Sequence, residues 1–327
     1  MNLLIGGKIE MGILVLKPGL LTTIQDLGRI GYQNLGVMIG GAMDKFAHSA
    51  ANVLVENDVD EPTIEATLAG PHLQFRQSAL IALCGADFHP LLNDKKVEMG
   101  SPLHVNQGDI LKLNNASNGA RAYIAVKGGI ISETFLGSCS TDMKMQRGGL
   151  NGRRFKRGDV IELKATHLKS SIHSGWKASA SLFTYLEQKT IRVNEGLQYN
   201  WFSEESRHRF FEEKFTVLPQ SDRMGIRLQG PNLSRLSKNE LLTEGVTMGS
   251  IQVPPSGAPI VLMADRQTTG GYPKIAQVIS RDLHALAQKK PGDTLSFEFI
   301  SVKEAQRLIK EENKLMSQLS FAVTAKS

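Results

Sequence analysis

The sequence predicts a mainly β protein with a few helices, assembled from two related units. Three observations carry this expectation. Glycine is frequent, at 31 of 327 residues, and many glycines stand in pairs or before Asp, the pattern of tight turns between strands. A Gly-Asp turn followed by alternating apolar residues occurs at Gly108-Asp109, Gly158-Asp159 and Gly292-Asp293. The two halves also echo each other in order. Glu65-Ala66-Thr67-Leu68, an apolar run ending at Asp87 and the first Gly-Asp turn are matched by Glu244-Gly245-Val246-Thr247, an apolar run ending at Asp265 and the last one.

The turns come first. In each Gly-Asp pair the glycine supplies a positive φ and the Asp can bond the turn backbone, so these residues are given structural work and no chemistry. Helices are fewer. Asp44 is placed to cap one running through Phe46, Ala50, Ala51 and Leu54. Ser203 opens another, with Glu204 and Glu205 in its first turn and Phe210, Phe211 and Phe215 as apolar positions. Ser301-Val302-Lys303-Glu304 is a capping box ahead of Ala305, Leu308 and Ile309. The polar, Ser-rich stretch from Lys164 to Lys177 reads as a linker. The expected units are therefore 11–165 and 178–316, with 1–10 and 317–327 as flexible ends.

Composition narrows the function. Hydrophobic residues make up 41% and charged residues 21%, a globular balance. Two cysteines, Cys84 and Cys139, do not make a disulfide framework and are expected as reduced thiols of a soluble, cytoplasmic protein. No apolar run approaches the ~20 residues of a membrane span, and no signal peptide is read. The formal charge of +6 clusters partly between Lys144 and Lys169. That patch lacks the aromatics of a single-strand binder, so no nucleic-acid partner is expected; a solvated face or an anionic ligand fits it.

Standard catalytic machinery is missing from the sequence. There is no phosphate-binding Gly-x-x-x-x-Gly-Lys loop, no Gly-x-Ser-x-Gly elbow and no His pairing at metal-ligand spacing, so no metal ligands are assigned. What stands out is polar density in glycine-rich turns. One cluster holds Gln25, Asp26 and Arg29, followed by Asp44; another holds Asp222, Arg223 and Arg227. A third follows an apolar strand directly: Asp265, Arg266, Gln267, Thr268, Thr269, Gly270, Gly271 and Tyr272. Arginine grips carboxylate or phosphate with two parallel bonds, and paired glycines let backbone N–H groups approach an anion. This pattern points to a small anionic substrate. The same residues also read as an Asp-Arg pair that holds a turn together.

At these residues the chain resembles a known family, that of the 5-oxoprolinase C subunit, also known as the Kip antagonist, as allophanate hydrolase subunit 2 and as a biotin-dependent carboxyltransferase domain. The matching stretches include Thr22 to Arg29, Gly41-Ala42-Met43-Asp44, Leu83 to Asp87, Gly128-Gly129-Ile130, Ser221 to Gly225, Gly249 to Pro254 and Asp265 to Lys274. They occur in order from about residue 12 to 305. The resemblance implies two linked cyclophilin-like β-barrel units. It also implies a partner like the 5-oxoprolinase B subunit (Kip inhibitor or allophanate hydrolase subunit 1 family) and a third component, a LamB/YcsF-like protein serving as the A subunit.

The implied activity is ATP-dependent opening of the lactam of 5-oxoproline, with ATP and Mg²⁺ as cofactors. Such a step requires positioning and charge neutralisation more than a covalent nucleophile. Under the resemblance, Arg223 and Arg266 neutralise phosphate or carboxylate, and Asp222 and Asp265 orient them or hold Mg²⁺. Gln267, Thr268 and the Gly270-Gly271 backbone bond the polarised oxygen. Gln25, Asp26, Arg29, Asp44, Arg227, Gln252, Thr269 and Tyr272 complete the binding surface. Two alternatives stand beside this: a regulatory module that antagonises a kinase-inhibitor protein, and a carboxyltransferase component acting on urea or a similar amide with carboxybiotin. One departure is plain, since Cys139 stands where the family usually has Arg. Lys127, ahead of Gly128-Gly129, offsets that loss only if the fold brings the two together.

Overall fold

A computed structural model describes residues 11–165, 176–236 and 241–325. The expected extension at 1–10 and most of the expected linker lie outside the described residues. The fold is mainly β. In the first unit a five-stranded sheet runs in the order Leu21–Gln25, Thr63–Thr67, Asn118–Val126, Ala79–Asp87 and Pro102–Val105. A six-stranded sheet containing Ile13–Lys17, His72–Phe75 and Ile110–Lys112 packs against it. Ile13, Leu73 and Leu111 of one sheet meet Ile64, Leu83 and Ile124 of the other in a shared core.

The second unit is a closed seven-stranded barrel, from Thr190–Glu195 to Thr294–Phe299, which pair in parallel and shut the ring. Its core holds Phe202, Phe210, Phe215 and Phe297, with the rings of Phe210 and Phe297 stacked at 4.6 Å. Closure leaves no free edge in the barrel, which for short strands removes unpaired backbone.

The central strands explain the long apolar runs. Along Ala79–Asp87, Ile81 and Leu83 face the sheet-on-sheet core, while Leu80, Ala82 and Cys84 face the opposite way. There they pack beneath helix α1, Lys45–Leu54. A strand covered on both faces reads as continuous hydrophobicity rather than alternation.

The turn chemistry expected from sequence is present in all three copies. Asp109, Asp159 and Asp293 each accept the backbone N–H three residues earlier, at 2.7, 2.7 and 2.9 Å. The preceding Gly108, Gly158 and Gly292 have φ of 93°, 90° and 90°. The helix caps hold too. Asp44 Oδ1 accepts the Ala47 N–H at 2.9 Å. Ser203 caps α2, Glu204–Glu212, and Ser301 caps the C-terminal helix. Phe215 is a correction: α2 ends at Glu212, and Phe215 begins the strand Phe215–Val217, its ring in the barrel core.

After the short helix α3, Asp282–Ala287, the C-terminal helix α4 runs Val302–Thr324. The expectation of a flexible end over 317–327 therefore fails for 317–324. Leu319 and Val323 bury themselves against Ala47, Ala50 and Ala51 of α1, and that apolar contact extends the helix. No described helix is long and apolar enough to cross a membrane. The units also share a core contact, because Met43 of the first inserts into the barrel core of the second.

Candidate functional site

The polar turns singled out by sequence meet where the two units touch. The end of strand Leu21–Gln25 leads into Asp26. Its carboxylate accepts the Gly28 N–H at 2.8 Å, the Ser138 hydroxyl at 2.7 Å and the Ser140 hydroxyl at 2.5 Å, together with the Cys139 N–H. Asp26 thus fixes the Ser138-Cys139-Ser140 loop, which runs directly beneath Arg29. Only 1% of Arg29 is exposed, and its Nη2 donates to the Ser140 carbonyl. Its Nε and Nη1 have no hydrogen-bond partner among the described residues. The guanidinium lies 5.6 Å from the Phe135 ring centroid, a cation–π contact that does not use those donors.

Gly40 brings the two units to one spot. A Cβ on this residue would sit 3.4 Å from Arg29 Nη1 and 3.8 Å from Asp265 Oδ1. Its φ of +64° favours glycine, while a side chain there would meet only ordinary van der Waals contacts.

On the second unit's side, Arg223 is fully committed. Its Nε and Nη2 grip Asp265 at 2.8 and 2.9 Å. Nη2 also donates to the Gly41 carbonyl at 2.7 Å, and Nη1 pairs with Glu65 of the first unit. Burial works against the Arg223 charge, but Asp265 and Glu65 outweigh it and hold the pKa above the usual arginine value. Burial would raise the Glu65 carboxyl; Arg223 and Arg121 reverse that and keep it low. Burial dominates at Asp265 and pushes its pKa up despite Arg223. Glu65 also accepts the Tyr123 hydroxyl at 2.8 Å and the Met43 N–H at 3.0 Å. This centre is a satisfied ionic knot across the seam.

Arg266 differs from its neighbour. It is 5% exposed and, among the described residues, has no carboxylate partner, only carbonyl contacts to Met263 at 3.3 Å and Val246 at 3.5 Å. Burial lowers its pKa to about 10. Lys45, the first residue of α1, is half-buried close enough to feel Arg266 and Asp26. Burial and then Arg266 lower the Lys45 pKa, with Asp26 opposing. Arg266 is therefore a buried cation with no carboxylate bonded to it among the described residues, a state that costs free energy.

The remaining sequence-selected residues are spread out. Gln25 is buried behind Asp26, with Nε2 donating to Thr23 Oγ1 at 3.0 Å and Oε1 unpartnered among the described residues. Asp44 is wholly buried; besides capping α1 it accepts Tyr185 and Gln288, each at 2.7 Å. Asp222 is exposed and accepts the Met224 and Gly225 N–H groups of its own turn. Arg227 projects to solvent from its strand, and Gln267 is exposed. The Thr268 carbonyl accepts the Val246 N–H, while Thr269–Gly270 pairs with Glu244–Gly245. Gln252 donates to the Tyr272 carbonyl at 3.2 Å, beside Gly270; Gly271 and Tyr272 are exposed. Lys127 is paired with Glu56, so it does not stand in for an arginine at Cys139.

Sequence reasoning gave no chemistry to Glu65, Tyr123, Gln288 or Lys45. Glu65 carried one usable signal, its counterpart Glu244 in the echo. The counterpart has diverged, for Glu244 pairs locally with Lys274 while Glu65 reaches across to Arg223.

Residues 35–299 match the family model for the carboxyltransferase domain, subdomains A and B. The chain belongs to this family. It is 39% identical to the 5-oxoprolinase C subunit of Haemophilus influenzae over 93% of this chain and 96% of that protein. It is 38% identical to the 5-oxoprolinase C subunit of Escherichia coli, over 94% and 97%. Among solved structures, the urea amidolyase of K. lactis superposes with a TM-score of 0.90 at 31% identity, covering 97% of this chain and 20% of that one. The chain thus spans about a fifth of that enzyme's length. The family assignment agrees with the resemblance drawn from the turn motifs.

Proposed function

We propose that this chain is a subunit of an ATP-dependent 5-oxoprolinase, and that residues at the seam between its units bind the anionic substrate while the lactam is opened to glutamate. The observation that carries this reading is Arg266: a buried arginine with no carboxylate partner among the described residues, bonded only to the Met263 and Val246 carbonyls. Opening a lactam builds negative charge on the amide oxygen, and the substrate brings a carboxylate besides. Preorganised cations in a water-poor cleft stabilise both. Arg266 and Arg29 are the groups assigned to this task. Arg223 and Asp265 are assigned to positioning, because their polar atoms are spent on each other and on Glu65.

The seam residues suit an anion better than a metal ion. Asp265 is committed to Arg223, and Asp222 is engaged in its own exposed turn. Neither fits a resident Mg²⁺, so no step is routed through one in this chain. ATP would supply phosphoryl activation of the amide oxygen, and its binding is assigned to the partners: a protein like the 5-oxoprolinase B subunit, of the Kip inhibitor family, and a LamB/YcsF-like protein serving as the A subunit.

A second reading is favoured by the family match and by the urea amidolyase resemblance: carboxyl transfer to an amide from carboxybiotin supplied by other components. The same cations would serve it. Reconstitution with the partner proteins decides between them. The first reading expects ATP-dependent loss of 5-oxoproline, unaffected by avidin, with Arg266→Ala abolishing turnover while the complex still assembles. Activity that requires biotin and bicarbonate moves the assignment to carboxyl transfer. Full turnover in Arg266→Ala removes Arg266 from the proposal.

A further inference from the structure

Two cavities lie along the segment that leads into the second unit. One, of about 480 Å³, is bounded by the end of strand Ala79–Asp87, the stretch from Lys96 to Gly100 and the short 3-10 segment Ala180–Glu187. The other, of about 570 Å³, lies between Ser117-Asn118-Gly119 of the first unit and Lys289-Lys290 of the second. Asn118, Leu186 and Glu187 line both, so the two are lobes of one groove. Each volume falls in the range of small-ligand sites, roughly 300–1,000 Å³. None of Asp26, Arg29, Arg223, Asp265 or Arg266 lines either lobe.

The wall formed by the connecting segment is pinned at three points. The Ala178 N–H donates to the Gly100 carbonyl at 2.8 Å, and the Tyr185 hydroxyl donates to Asp44 at 2.7 Å. Lys289 Nζ donates to the Gln188 carbonyl at 2.5 Å. Between these points the small residues Gly85, Gly100, Ala178 and Ala180 line the space without filling it.

The lobes differ in chemistry. The first presents the half-buried side chains of Met99, Phe183 and Leu186. Charges at its rim are engaged locally: Lys177 pairs with Glu98 at 2.8 Å, and Asp87 accepts the His89 N–H at 2.8 Å. The second lobe carries Lys189, Lys289 and Lys290. Lys289 is 8% exposed and Lys290 Nζ donates to the Ser117 carbonyl at 2.8 Å, so backbone carbonyls aim both ammonium groups without cancelling their charge. None of the three lysines forms an ion pair among the described residues. Two carboxylates share the lobe; Asp293 accepts the Lys290 N–H of its own turn at 2.9 Å, and Glu187 is exposed. An ammonium has three donors, and one carbonyl leaves two of them free for a ligand.

We propose that this groove is a second ligand site, which takes an amphipathic oxyanion with its apolar body against Met99, Phe183 and Leu186 and its carboxylate or phosphate among Lys189, Lys289 and Lys290. Apolar burial supplies affinity in the first lobe, and charge-assisted hydrogen bonds fix the head group in the second. Because both units line the second lobe, a bound ligand bridges them and raises the melting temperature of the chain.

The test is titration calorimetry on the intact chain with octyl phosphate, octanoate, octanol and inorganic phosphate, each below any micelle-forming concentration. The expected result is one octyl phosphate or octanoate bound per chain, at least tenfold tighter than octanol or inorganic phosphate, with a matching rise in melting temperature. The tighter of the two amphiphiles identifies the head group, and either one keeps the site. Lys289→Met should weaken that probe by about tenfold, the loss of one charge-assisted hydrogen bond. Lys189→Glu changes an exposed residue and should weaken it at least as much while the fold is kept. Ala180→Trp, also at an exposed position, should fill the apolar lobe and reduce octyl phosphate to the affinity of inorganic phosphate. Lys156→Met, an exposed lysine outside the groove, should bind like the parent. Unchanged affinity in Lys189→Glu or Ala180→Trp, inorganic phosphate binding as tightly as octyl phosphate, or no binding of any probe overturns the site. The 5-oxoprolinase reading rests on other residues and is tested separately, by turnover of the reconstituted complex.

Discussion

Arg223 and Glu65 form a buried ion pair that joins the two units, with 4% and 1% of their surfaces exposed. Each is surrounded by further partners: Asp265 and the Gly41 carbonyl on one side, Tyr123 and the Met43 N–H on the other. Removing one member of such a pair strands the other's charge. Arg223→Ala is expected to lower unfolding free energy by about 3–5 kcal/mol, measured by urea denaturation. Arg223→Lys should recover only part of this, because an ammonium cannot reproduce the two-pronged grip on Asp265. An Arg223→Ala chain as stable as the parent would show that the knot does not join the units.

Arg266 should behave in the opposite way. Its charge is buried without compensation, so Arg266→Met is expected to melt at or above the parent temperature while reconstituted turnover is lost. Gain of stability with loss of function is the signature of a group kept for its chemistry. A large drop in melting temperature would instead mark Arg266 as structural.

Asp26→Asn changes one oxygen to an amide and keeps the shape. The loop at Ser138 to Ser140 depends on that carboxylate accepting several donors at once. An amide oxygen can satisfy only some of them. Faster hydrogen exchange at the Cys139 and Ser140 amides is expected, with a loss of about 1–3 kcal/mol in stability. Unchanged protection there would mean the loop holds itself.

Stability should also fall on the alkaline side for a reason away from the Arg223 knot. His284 on α3 lies 3.0 Å from Glu312 of α4 and 3.6 Å from Asp44 at the start of α1. Burial opposes its protonation, but the Glu312 bond, Asp44 and Asp282 prevail and raise its pKa. A raised folded value means the stabilisation is complete below the unfolded pKa, about 6.5, and is lost as pH rises through the folded value. Melting temperature measured across that range should decline, and Glu312→Gln should flatten the decline. A pH profile identical in Glu312→Gln and parent would refute the linkage.

Local rules make part of this protein legible from residue type and spacing. The Gly-Asp turns and the caps at Asp44, Ser203 and Ser301 involve atoms at most three residues apart, so nothing distant is needed to place them. The seam residues stand out as a group, because glycine-rich turns bearing Asp and Arg are unusual in strand-dominated sequence. Phe215 shows the limit: its apolar character suits a helix face and a barrel core equally, and only barrel packing chooses.

The sequence by itself determined the mainly β, strand-and-turn character and singled out the polar glycine-rich turns. It could not rank them. Asp222-Arg223 and Asp265-Arg266 look alike as dipeptides, yet Arg223 is neutralised by Asp265 and Glu65 while Arg266 has no carboxylate bonded to it among the described residues. That distinction depends on contacts between residues far apart in the chain, such as Glu65 with Arg223, 158 positions away. Only the docking of one unit on the other decides which buried charge is satisfied by a partner.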